Sequence, residues 1–106
     1  MADLRTEARF PTVARGRGHY ESFFIRTFHP SEPLGVWIRY TVLKRPGEEP
    51  RGSLWITLFD AAADGPTASK VTLGPGDVFP DAYVRVGDAG AFHDGEATGS
   101  AGEASW

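Results

Sequence analysis

Apolar and polar positions are organised in three runs near the start of the chain: His19–Phe28 (HYESFFIRTF), Leu34–Leu43 (LGVWIRYTVL) and Gly52–Asp60 (GSLWITLFD). Each is about ten residues rich in β-branched and aromatic side chains, with apolar residues on both alternating faces, which predicts strands. His29-Pro30 ends the first run, because proline removes a ladder donor, and Ser31, Glu32 and Pro33 complete a turn into the second. Lys44–Arg51 (KRPGEEPR) carries a Pro-Gly turn signal before the third. The rest is thinner. Ala61–Pro66 turns into a weaker strand over Thr67–Leu73, and Gly74–Pro80 is a loop. Ala82–Val86, Ala91–His93 and Gly102–Trp106 are short strand candidates.

Residues 1–18 read as a polar N-terminal arm, with Pro11 and an Arg-Gly-Arg-Gly stretch at Arg15–Gly18; a short helix over Asp3–Arg9 is the one helical segment the pattern permits. The residues from 19 to 106 then form a single β domain. Five to seven strands with regularly spaced turns predict an all-β, antiparallel sheet, sandwich or barrel.

Period-2 alternation assigns faces. Leu34, Val36, Ile38, Tyr40 and Val42 form a purely apolar face, as do Leu54, Ile56 and Leu58. The opposite faces mix aromatics with polar groups. In the first strand Tyr20, Ser22, Phe24, Arg26 and Phe28 oppose Glu21, Phe23, Ile25 and Thr27. If the mixed faces share a side, Trp37, Arg39, Trp55 and Thr57 line one surface, with Glu21 near enough to pair with Arg39. Aromatic walls with a few fixed polar groups suit a mostly apolar ligand. The plainer alternative makes Trp37 and Trp55 cross-strand packing partners and Arg39–Glu21 a surface ion pair.

At 106 residues the chain has room for one core. It has no apolar stretch near the roughly 20 residues of a spanning helix, so no membrane span is expected. The N-terminus MADLRTEARF lacks a signal-peptide pattern, and a cytoplasmic location follows as the default. With no cysteine, disulfides and thiolate chemistry are excluded. The net charge of −3 is unevenly distributed: residues 1–53 hold nine Lys/Arg against six Asp/Glu, and residues 54–106 two against eight. Scattered basic residues in an acidic chain argue against nucleic acid as a partner.

Candidate chemistry is sparse. His19, His29 and His93 lack metal-ligand spacing, and Asp60, Asp64, Asp77 and Asp81 sit where Asp closes turns. Gly74–Asp77 lacks the lysine of a phosphate loop, and no Gly-x-Ser-x-Gly elbow surrounds Ser22, Ser53 or Ser69. No cofactor and no metal is expected.

The order Glu21-Ser22-Phe23-Phe24-Ile25-Arg26, His29-Pro30, Pro33-Leu34, Val36-Trp37-Ile38-Arg39-Tyr40-Thr41, Leu54-Trp55 and Phe59-Asp60 resembles the opening of bacterial lipocalin-like proteins. These are the carotenoid 1,2-hydratase (hydroxyneurosporene synthase) and AttH-like group, and the resemblance covers roughly residues 19–73. It implies a lipocalin-like barrel or half-barrel, a hydrophobic, isoprenoid-like ligand, and a longer two-barrel protein of which this chain is the truncated N-terminal part. On that view Trp106 belongs to an interrupted pattern; the alternative is a closing edge strand with Trp106 packed under the sheet. A hydratase- or cyclase-like parent would need a general acid, and Glu21 is the only acidic residue inside a strong strand. No catalytic residue is carried over from the family.

The expected function is therefore apolar small-molecule binding through Glu21, Trp37, Arg39, Trp55 and Thr57, with a second barrel half or a second copy as partner. The competing expectation is an interaction module that pairs through an edge or an apolar face.

Overall fold

The computed structural model describes residues 7–80, 83–93 and 95–106. Among them there are nine strands and one 3-10 turn, Phe10–Thr12. The strands are β1 His19–Phe28, β2 Leu34–Lys44, β3 Arg51–Asp60, β4 Thr67–Thr72, β5 Val78–Phe79, β6 Val84–Val86, β7 Gly90–His93, β8 Glu96–Ala101 and β9 Ala104–Ser105. All pairings are antiparallel between chain neighbours, giving one four-stranded sheet, β1 to β4, and one five-stranded sheet, β5 to β9.

The fold is all-β, as the alternation predicts. The two sheets do not close into a barrel, so of the expected alternatives the open two-layer form is the one realised. The three aromatic runs fold where the pattern puts them. The weak second half contains more strand than its composition suggests: β5 lies inside the expected Gly74–Pro80 loop, and β8 occupies the Gly- and Ala-rich tail. Asp81, Ala82 and Asp94 lie outside the described residues, as does most of Asp3–Arg9; Glu7, Ala8 and Arg9 are not helical.

The core forms where the small sheet covers one end of the large one. Tyr40, Val42, Leu54, Val84 and Val86 are fully buried, joined by Phe10, Ile38 and Val78. Phe92 packs edge-on against Tyr40 at 5.4 Å, and Trp106 does the same at 6.4 Å. The Tyr40 hydroxyl donates to the Thr98 carbonyl at 2.7 Å and accepts from Trp106 Nε1 at 2.8 Å. Trp106 is thus packed beneath the sheet and also exchanges backbone hydrogen bonds with Gly99. Glycine at 99 is required by this approach: a methyl there would stand 2.5 Å from the Trp106 ring and 2.6 Å from Leu54.

The described part of the arm is tied down. Phe10 enters the core, and the nearly buried Lys44 donates its ammonium to the carbonyls of Arg15 and Arg17. The other end of the large sheet has no such cover. Leu58, on the expected core face, is 45% exposed because the small sheet stops short of it.

Adding a methyl with Gly99→Ala should lower the urea midpoint and cost ~1–3 kcal/mol through overpacking. Gly16→Ala, with nothing within 4 Å of the new carbon, should change stability by less than about 0.5 kcal/mol. Burial raises the Tyr40 pKa above 10.0, partly opposed by the Trp106 hydrogen bond. The unfolded chain therefore loses this proton first, so the stabilisation is complete below the unfolded pKa and is lost as pH rises through the folded one. Denaturation curves above about pH 10 should be less pH-dependent in Tyr40→Phe than in the parent chain.

Candidate functional site

The register fixes what shares the outer face of the large sheet. Arg39 lies opposite Phe24 on one side and Trp55 on the other; Trp37 lies opposite Arg26 and Thr57. Lys70 is opposite Trp55, and Arg51 opposite Leu43. Alternation therefore gathers Tyr20, Phe24, Phe28, Trp37, Trp55 and Phe59 with Arg26, Arg39, Arg51 and Lys70 on one surface. No described carboxylate occupies a strand position on that face.

Arg39 is the hub. Its guanidinium stands 5.0 Å from the Trp37 ring and 5.3 Å from the Trp55 ring, and it donates to the Tyr20 hydroxyl at 2.8 Å. Lys70 covers Trp55 at 4.1 Å, and Phe24 meets Trp37 edge-on at 6.4 Å. The Trp55 indole donates to Thr41 at 3.1 Å. Trp37 Nε1 is buried and makes no hydrogen bond. Towards β1 the aromatics are largely open to solvent: Phe28 is 71% exposed, and Phe24 and Tyr20, at the edge of the cluster, 57% and 53%.

Of the residues singled out in the sequence, Trp37, Arg39, Trp55 and Thr57 share this face. Glu21 does not. It lies opposite Val42 on the inner face, where its carboxylate accepts from the Arg9 amide at 2.9 and 3.0 Å and meets His19 Nε2 at 2.6 Å. The expected Arg39–Glu21 pair is replaced by Arg39–Tyr20. The physical reason is that Phe23 and Ile25 turn their strand's odd-numbered side to the core, and Glu21 follows them. The signal was present in Arg26, whose charge belongs outside and carries Tyr20, Phe24 and Phe28 with it.

At the far end of this face the β1–β2 and β3–β4 connections frame an open depression of about 530 Å³, lined by Phe28, Leu34, Pro33, Phe59 and Pro66 with His29, Glu32 and Asp60 among its few polar groups. Both loops are braced locally. His29 Nδ1 accepts from the amides of Ser31 (3.2 Å) and Glu32 (3.0 Å), and Asp60 Oδ1 accepts from Ala62 at 2.9 Å. The Ala61 amide bonds the Pro33 carbonyl at 3.1 Å, linking the two loops. The sequence reading missed this depression because its walls come from loop residues read only as turn chemistry.

Among the described residues no three His, Asp or Glu side chains stand together as a metal site, and no helix is long and apolar enough to cross a membrane. Fold and site together define an open, two-layer antiparallel β protein with an aromatic and cationic sheet face. Comparison with family models, with curated proteins and with solved structures found no match to this chain.

Arg39→Gln removes two ring contacts and the bond to Tyr20, and should lower unfolding stability by about 1–2 kcal/mol. The exposed Arg26→Gln should change it by less than ~0.5 kcal/mol. Parallel urea titrations followed by circular dichroism check both.

Proposed function

We propose that this β domain binds a hydrophobic, isoprenoid-like small molecule at the loop end of its outer face. The observation that carries this reading is the 530 Å³ depression, whose walls are Phe28, Leu34, Phe59 and prolines with few polar groups. Its size is within the range of small-molecule sites, and its lining supplies apolar area while His29, Glu32 and Asp60 offer orienting contacts. The resemblance to lipocalin-like hydratases supports the same ligand class. Trp37, one alternate position from Gly35 along β2, is near enough to report on occupancy.

Retinol, a polyene isoprenoid alcohol, serves as the probe because it accepts tryptophan excitation. Saturable one-to-one quenching is expected, with affinity reduced about tenfold or more by Phe28→Ser, since burying a phenyl ring contributes about 1.5–3 kcal/mol. Non-saturating quenching, or quenching unchanged in that variant, contradicts the reading.

A second reading has its own observation. The inner face beyond the small sheet carries another open depression of about 500 Å³, lined by Ile56, Leu58, Thr67, Ser69 and Ala104. As an interaction module the domain would bury this surface against a second barrel half or a second copy. Sedimentation velocity then shows a concentration-dependent dimer that Leu58→Glu abolishes; a monomer at every concentration removes the self-association version.

A further inference from the structure

We propose that the outer face of the large sheet docks flat on an anionic lipid surface, from which the hydrophobic ligand enters the depression at its end. The entry step rests on the ligand reading above; the docking step rests on the face itself. Three observations carry it. First, Arg26, Arg39, Arg51 and Lys70 share this face with no described carboxylate at any strand position. None of the four forms an ion pair among the described residues. A surface with a single sign of charge, within a chain of net charge −3, is directional and complements a negative plane.

Second, the exposed Tyr20, Phe24 and Phe28 follow one another at every fourth position of β1, with Phe59 two strands away at the same end as Phe28. Aromatic side chains interleaved with Arg and Lys are suited to the headgroup level of a bilayer, where rings meet acyl chains and cations meet phosphate. Third, the face is continuous with the apolar depression through Phe28, Gly35 and Phe59. A docked sheet would therefore hold the mouth of the depression against lipid. Glu32, Asp60 and Asp64 lie in or beside the loops at that tip, so their charge opposes a tip-first approach and favours a flat one.

A single-stranded nucleic acid would also find cations and aromatics here. The two largest rings are nevertheless already covered, Trp37 by Arg39 and Trp55 by Arg39 and Lys70. Base stacking needs such ring faces open, which favours the lipid surface.

The test is flotation of the full chain with vesicles of phosphatidylcholine alone and of phosphatidylcholine with an equal part of phosphatidylserine. Binding is expected only to the mixed vesicles, weakening as salt is raised. Arg26→Gln with Arg51→Gln should reduce partitioning about twenty-five-fold, at roughly fivefold per cation, with the far-ultraviolet dichroism unchanged. No binding to mixed vesicles, equal binding to both kinds, or an undiminished double variant overturns the docking. Saturable binding of a single-stranded oligonucleotide without vesicle binding overturns it in favour of nucleic acid. Retinol quenching in free solution separates the two claims: quenching without vesicle binding defeats the docking alone, and vesicle binding without quenching defeats ligand entry.

Discussion

Tyr40 and Leu54 are the points on which the two layers meet, and the rest of the structure depends on how closely the small sheet can approach them. Tyr40 is enclosed by Phe92 and Trp106, and its hydroxyl is satisfied by the Thr98 carbonyl and the Trp106 indole. Leu54 lies against Gly90 and Gly99, where any side chain would collide. The glycine content of the second half, which looks like weak strand propensity, is what lets a thin sheet lie on a thick one. Without that contact the Gly-poor, aromatic sheet would have both faces in water.

Because the cover is short, the large sheet has three environments. Its inner face near Lys44 is core, its inner face near Leu58 is open, and its outer face is overlaid by no second sheet, with Thr41 and Ser53 buried among their own neighbours. Strands of ten and eleven residues outrun strands of two to six. The open inner face around Leu58 is a consequence of that mismatch in length, whereas the aromatic and cationic surface is exposed because the small sheet lies on the opposite side. Arg39 over Trp37 and Trp55, with Lys70 over Trp55, limits the exposure of the two largest rings on this face.

Much of the large sheet was legible in the sequence. The bounds of β1, the aliphatic faces of β2 and β3, and the gathering of Trp37, Arg39, Trp55 and Thr57 follow from alternation, because antiparallel hairpins with short turns leave little freedom of register. The side of Glu21 is harder to read, because face membership in β1 depends on its pairing with β2, both of its faces carry aromatics, and Arg26 alone marks the outer one. The strands β5 and β8 were illegible for a different reason. Propensity rules that count glycine against a strand do not govern Gly99, whose place is decided by Leu54 in the other sheet and by the Trp106 ring. The depression is not legible in the sequence because turn residues, Pro33 and Pro66 among them, become walls only when two loops are brought together.

On this packing the small sheet and the covered end of the large sheet open as one cooperative unit. Residue-resolved amide hydrogen exchange tests it most directly. Protected amides in Val84–Val86 and at Phe92 should then exchange with the same opening free energy as those of Ile38, Tyr40 and Leu54, above that of the Leu58 end. Exchange in β6 and β7 at a much lower opening energy than in β2 and β3 would contradict it, because the second layer would then open while the first remained intact.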